Sequence, residues 1–341
     1  MRAEHLPSLD GLRAISIVLV LLGHLGGTVG FPRIDLKIGD YSHLGVIVFF
    51  VISGYLITRL MLIEDAKNGR ISLRRFYERR ALRLFPAAYT YIACACLLSV
   101  VGFSHMRATD IWHAVTYTVN FLPGRAKLIG HLWSLSVEEQ FYLLWPCTFV
   151  ILGARKSGWA AVATILFGPV ARAGAWLFLR GTPYGDVPMF PLVADSIAMG
   201  CLLANVSGWF EQKNWYLRLF RPGYSLGLLA LLLLINRYMD YTVVSVIGAS
   251  ILNLCLAILI HRSVYHSEDW VGRILNWRPL AWIGVLSYSL YLWQQIFLNR
   301  ESISWVNRFP QNILLTIVVA LSSYFLLEQP LIKLRRRLRA Y

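Results

Sequence analysis

Arg13 and His24 stand eleven residues apart within LDGLRAISIVLVLLGH, Leu9 to His24, a stretch otherwise apolar enough to cross a bilayer. As a helix, at 100° per residue, that separation turns through about 1100°, which puts both side chains within about 20° of one face and about 16 Å apart along the axis. Asp10 falls within about 60° of Arg13 by the same rotation. One face of the helix thus carries a cation near its start and an imidazole deeper in. Such a face suits a long anionic donor whose phosphates stay at the mouth while its reactive end reaches inward, and acyl-CoA has that shape. An imidazole beside an acyl thioester can act as general base on an incoming hydroxyl, because its ordinary pKa lies near 7. The plainer readings are an N-cap for Asp10, an anchor at a positive inner face for Arg13 and a polar interface residue for His24. A polar group in mid-span costs roughly a few kcal/mol, which favours a role for the Arg13 and His24 pair.

Other polar residues fall where apolar ones are expected. HLWSLSVEEQFYLLWP, His131 to Pro146, opens a predicted span, and Ser136 with Glu139 fits a capping box. A carboxylate at that outer end can also orient an imidazole, as the third member of a catalytic triad does. Glu139 is the first choice for this and Glu138 the alternative. Arg172 and Asp195 occupy neighbouring predicted spans at similar depth, either as an intramembrane ion pair or as acceptor-binding groups. In RRFYERRALRLFP, Arg74 to Pro86, the residues Arg79, Arg80 and Arg83 recur on one helical face. Their guanidinium groups fit the 3′-phosphate and pyrophosphate of CoA, or equally anionic lipid heads. Trp112, Tyr117 and Trp133 can stack on sugar rings or anchor at the interface. Gln294 and Gln295 read as interhelical hydrogen-bonding residues.

The elements that position these groups follow from composition. Of 341 residues, 57% are hydrophobic and 15% charged, where a soluble domain has about a quarter charged. Near-spanning apolar runs recur from Ile15–Leu22 to Asn312–Leu327, and in a bilayer such segments must be helical. The expected fold is an all-α integral membrane protein, a bundle of about ten transmembrane helices near 12–32, 43–63, 85–104, 137–153, 158–179, 189–206, 223–236, 242–261, 281–299 and 310–328. The net charge of +15 does not indicate nucleic acid, because its position explains it. Arg59, Lys67, Arg70, Arg74, Arg75, Arg79, Arg80 and Arg83 lie between the second and third predicted spans, and Lys333, Arg335, Arg336, Arg337 and Arg339 follow the last. Basic clusters face the cytoplasm, so both termini are expected there. Residues 1 to 30 lack a clear cleavage site and read as a retained first span. Cys94, Cys96, Cys147, Cys201 and Cys255 show no metal-ligand spacing, and no metal is expected. Residues 1–341 read as a single membrane domain.

These residues resemble the bacterial inner-membrane acyltransferase group called acyltransferase three, which includes O-antigen and exopolysaccharide O-acetylases. The matching pieces are LDGLRAISIVLVLLGH, GVIVFFVISGYLIT (Gly45 to Thr58), FYERRALRLFP (Phe76 to Pro86), HLWSLSVEEQFYLLWP, SYSLYLW (Ser287 to Trp293) and LLEQPL (Leu326 to Leu331), in the family's order along nearly the whole chain. The resemblance implies about ten spans, a cytoplasmic acyl-CoA donor and an acceptor glycan modified at or beyond the outer face. It also implies that Arg13 and His24, as the family's Arg-x10-His motif, are required. Many relatives carry a histidine where Gln294 stands. Others carry a fused extracytoplasmic esterase-like domain, for which the sequence after the tenth predicted span leaves no room, so action alone or with a partner chain is expected.

The expected function is transfer of an acyl group, taken as acetyl, from acyl-CoA to a hydroxyl of a surface or exported carbohydrate, lipid-linked or free, in the bacterial inner membrane. The rival is a multi-pass transporter or flippase for a glycan or lipid, with Arg172, Asp195 and His24 along its pathway. Transporters of that kind show two related halves with broken spans. The sequence shows no such symmetry.

Overall fold

A computed structural model describes residues 6–32, 40–239 and 242–331. The basic tail from Lys333 to Arg339 lies outside the described residues. Among the described residues the regular structure is entirely helical. In chain order come α1 (Pro7–Leu25), α2 (Tyr41–Asn68) and α3 (Leu73–Val100), followed by the short α4 (Ala108–Val115) and α5 (Lys127–Gly130). Next are α6 (Leu132–Leu179), α7 (Phe190–Phe210), α8 (Asn214–Leu217), α9 (Pro222–Arg237) and α10 (Ala249–Tyr265). The series ends with α11 (Trp270–Leu275), α12 (Arg278–Phe297) and α13 (Gln311–Ser323). A π-helical turn, Val244–Gly248, leads into α10, and another, Tyr324–Glu328, follows α13.

Among the described residues, seven helices are long and apolar enough to cross a membrane, or eight if Asn214–Phe220 and Pro222–Arg237, bent by 71°, form one span. The ten predicted spans exceed that number for local reasons. Gly153 breaks α6 with a non-helical φ of 78°, so the fourth and fifth predicted spans correspond to the helical segments on either side of that break. A straight helix of 48 residues would run about 72 Å, against a hydrocarbon core of about 30 Å. The ninth predicted span corresponds to α12, whose Arg278, Ser287, Ser289, Gln294 and Gln295 make it more polar, and it is not one of the seven.

Three boundaries differ from expectation. α1 stops at Leu25 rather than near residue 32, because Gly27 turns into the left-handed region at φ 88° after the Gly26 N–H has donated to the Leu22 carbonyl at 3.1 Å. α3 starts at Leu73, twelve residues before the expected 85, with the Ser72 hydroxyl accepting from the Arg75 N–H at 3.4 Å. The arginine-rich stretch is therefore part of the same helix, which continues through Pro86. Leu, Arg and Ala are strong helix formers, and one missing N–H does not end the run. α6 starts at Leu132, so Ser136 lies inside the helix and its hydroxyl donates back to the Leu132 carbonyl at 2.9 Å. The expected capping box of Ser136 with Glu139 does not form.

The chain divides into two compact units. One comprises Met1–Val20, Asp35–Ile71 and Val137–Val285, and the other Leu21–Ile34, Ser72–Ser136 and Leu286–Tyr341. In the first, α2 packs on α7 through bare backbone: a Cβ on Gly54 would collide with the Ile197 carbonyl, and one on Gly200 with the Val51 carbonyl. Small residues serve this purpose where hydrocarbon removes the hydrophobic drive between helices. The start of α1 is held in the same way, because a side chain at Gly284 would strike the Asp10 carbonyl.

In the second unit, Asn307 donates to the Ile296 and Phe297 carbonyls at 2.9 and 2.8 Å, and Asn312 to the Thr28 hydroxyl at 3.3 Å. The segment after α3 is organised by Asp110, which is 1% exposed. Its carboxylate accepts from the Arg107 backbone N–H (2.8 Å), the Arg107 guanidinium (3.0 Å) and the Ala126 N–H (2.9 Å). Burial opposes the charged form, but the Arg107 side chain and these backbone donors outweigh it and hold the carboxyl below the usual range. A carboxyl with a depressed folded pKa contributes stability that is present above its unfolded pKa, near 3.9, and is lost as pH falls through the folded value. The protection factor of the Ala126 amide, its exchange relative to the intrinsic rate at the same pH, should therefore fall below about pH 4. Asp110→Asn should show lower protection at neutral pH and little further loss of protection in acid. Equal exchange in both proteins across that range would overturn this account.

Candidate functional site

Within the first unit, Arg13 Nη1 lies 3.3 Å from Asp10 Oδ1. Asp10 sits inside the first turn of α1 instead of capping it, since the helix already begins at Pro7. A carboxylate there complements the positive helix end, and its spacing lets it pair with the arginine one turn on. His24 is half-buried in the last turn of the same helix. The eleven-residue register that aligns it with Arg13 is kept, but the imidazole lies at the helix terminus rather than in mid-span. The last turn of α1 is held within the second unit, where Arg300 donates to the Gly23 carbonyl.

The second unit also shows a neighbour that the sequence reading left without a role. His24 and His131 interact electrostatically. His131 is 4% exposed, and its Nε2 lies 3.0 Å from the Leu292 carbonyl, which makes Nε2 the protonated nitrogen and Nδ1 the acceptor. The Tyr291 hydroxyl donates to the His131 carbonyl at 2.9 Å and pairs with the Ser134 hydroxyl at 2.5 Å. Tyr91 packs edge-on against both the His131 and Trp293 rings. The only sequence signal for His131 was its place at the head of the HLWSLSVEEQ motif.

Glu138 and Glu139 are half-buried in the second turn of α6 and belong to the first unit, while His24 belongs to the second. Trp133 is half-buried in the first turn of α6. On α3, Arg79 and Arg80 are half-buried and Arg83 is exposed. Arg83 interacts with the carboxyl group of Glu328, which is 8% exposed and accepts a 2.5 Å hydrogen bond from Ser289. That carboxylate, part of LLEQPL, was a motif letter in the sequence and is a buried partner of the basic face in the structure.

Arg172 and Asp195 do meet, at 3.0 Å, with Asp195 1% exposed. Arg172 also donates to the Leu192 carbonyl (2.9 Å), the Val246 carbonyl (3.1 Å) and the Ser250 hydroxyl (2.7 Å), and Ser250 donates to Asp195 at 3.0 Å. Val246 lies in the π-helical turn before α10, where backbone carbonyls leave their usual partners. One guanidinium thus ties α6, α7 and α10 together.

Among the described residues no group of three or more His, Cys, Asp or Glu side chains is placed to hold a metal ion. A family profile described as an acyltransferase domain matches residues 6–328. Peptidoglycan O-acetyltransferase OatA of Listeria monocytogenes is 28% identical over 317 residues, 85% of this chain and 49% of the relative. A putative peptidoglycan O-acetyltransferase, YrhL, of Bacillus subtilis is 27% identical over 96% of this chain and 55% of its own length. A putative O-acetyltransferase of Staphylococcus aureus strain COL is 31% identical, covering 96% and 58%. The chain spans about half the length of these relatives. No solved structure matches. The profile runs from the start of α1 to the π-helical turn after α13 and so takes in the Arg13 and His24 helix, the arginine face of α3 and the Glu328 carboxylate; the chain belongs to the acyltransferase 3 family.

Proposed function

We propose that the protein is a multi-pass enzyme of the bacterial cytoplasmic membrane that moves an acetyl group from acyl-CoA to a hydroxyl of a surface or exported carbohydrate. The names of its relatives support the group transferred and the class of acceptor. The observation that carries the reading is α1, with Arg13 and its partner Asp10 at one end and His24 at the other, on one face of a continuous helix. Arg13, Arg79, Arg80 and Arg83 hold the donor's phosphates through charge-assisted hydrogen bonds. His24 takes the hydroxyl proton as the acceptor oxygen bonds to the thioester carbon. The carbon–sulfur bond breaks, and the thiolate leaves with that proton. Glu139, with Glu138 as the alternative, orients the imidazole. A covalent acyl relay through an enzyme side chain is the other route by which the same residues would complete the reaction.

Ten crossings follow if α6 counts on each side of Gly153 and if the bent α8–α9 pair and α12 also span. Basic residues favour the cytoplasmic face, so the arginine-rich start of α3 supports a cytoplasmic position for both termini. Family membership favours transfer over the transporter reading. Purified protein in proteoliposomes, given acetyl-labelled acetyl-CoA and a carbohydrate oligomer, should produce a base-labile sugar ester with a matching amount of free CoA thiol. Thiol release without ester, or neither, would sink the proposal.

A further inference from the structure

Among the buried polar atoms with no hydrogen-bond partner among the described residues are His131 Nδ1, Trp293 Nε1 and both amide atoms of Gln294. Gln294 is fully buried, and Trp293 is 6% exposed. Each such orphan costs about 1–3 kcal/mol, and native proteins keep few of them. These belong to one neighbourhood of the second unit. The Tyr91 ring lies 5.2 Å from His131 and 5.5 Å from Trp293. His131 bonds to the carbonyl of Leu292, two residues before Gln294. Gln294 follows Tyr291 by one helical turn on the same face, and Tyr291 bonds to the His131 carbonyl. His131 in turn interacts with His24.

The chemistry of the set is specific. An indole N–H and an amide NH2 donate, while an amide oxygen and the neutral imidazole nitrogen accept. None carries a formal charge. A phosphate or carboxylate calls for guanidinium or ammonium partners, whereas sugar hydroxyl and acetamido groups both give and take hydrogen bonds. We propose that His131, Trp293 and Gln294 form a subsite for a neutral carbohydrate, holding hydroxyl or acetamido groups of the acceptor beside His24. This rests on the reading of His24 as the base. Trp293 and Gln294 position the acceptor and move no proton. A site built to hydrogen-bond its ligand discriminates strongly when one partner is deleted.

The test is equilibrium binding of an uncharged N-acetylglucosamine oligomer to the full chain in nanodiscs, with inorganic phosphate as charged competitor, alongside the transfer assay. Trp293→Phe and Gln294→Leu should each weaken binding and raise the acceptor KM about tenfold, the factor expected for one lost hydrogen bond. The acetyl-CoA KM should stay within about twofold of wild type, and Gln294→His, which keeps a donor and an acceptor, should recover most of the loss. Where Gln294→Leu does not fold, Trp293→Phe, which removes one N–H from a retained aromatic, carries the test. Unchanged oligomer binding in the variants, displacement by phosphate, or a rise in the donor KM alone would overturn the subsite. Ester formation that depends on His24 while both variants bind normally would remove the subsite and leave the transfer reading intact. Oligomer binding that depends on Gln294 in a protein that forms no ester would do the reverse.

Discussion

Alanine at His24 is expected to lower acetyl transfer by about 10²–10⁴-fold, the usual contribution of a positioned general base. Alanine is the best helix former, and the side chain is half-buried in the terminal turn of α1, so the helix and the Asp10–Arg13 pair at its other end should persist. The loss should therefore appear in kcat and kcat/KM for the acceptor together, the mark of an interaction made in the transition state, with the acetyl-CoA KM nearly unchanged. Arg13→Gln should behave in the opposite way, raising the donor KM more than it lowers kcat. Steady-state transfer in proteoliposomes, with both substrates varied, reads the difference. Wild-type kcat in His24→Ala would remove the imidazole from the mechanism, and a donor KM raised as much as in Arg13→Gln would move it to the donor-binding group.

The membrane class was legible because charge is scarce and apolar runs of spanning length recur. The ends of the helices were less so. Gly26 and Gly27 looked like small residues in a continuing span, yet Gly27 at φ 88° ends α1; nothing in a single sequence distinguishes a packed glycine from a left-handed one. The third span was expected to start near residue 85, but α3 begins at Leu73 and passes through Pro86. Ser136 had the spacing of a cap and lies inside α6. In the site, the Asp10–Arg13 pairing could be read because it is local, one turn apart. His131 could not, because its partner Leu292 stands 161 residues away and a histidine at the head of a motif carries no signal of what α12 will bring to it. Glu328 was hidden for the same reason, since Ser289 and Arg83 reach it from other helices.

Arg172 and Asp195 show how a long-range pair that was anticipated can still have its role decided. Removing one member of a buried, hydrogen-bonded ion pair leaves the other uncompensated and costs about 3–5 kcal/mol, while replacing both by apolar groups is often neutral. Arg172→Leu should lose that much, because Asp195 is 1% exposed and would keep the Ser250 hydroxyl but lose the guanidinium charge, while the Val246 and Leu192 carbonyls would lose a donor. Asp195→Leu should cost a similar amount and must also fit against α6, where the Asp195 carboxylate already occupies the space beside Gly168. The double variant Arg172→Leu/Asp195→Leu should recover most of the stability in thermal unfolding of the detergent-held protein. If the pair only fastens α6, α7 and α10, that double variant also transfers acetyl with an unchanged acceptor KM. A stable double variant with a raised acceptor KM would instead assign the pair to substrate binding, and single variants costing under about 1 kcal/mol, the range of a solvated surface pair, would show that it does not fasten the helices at all.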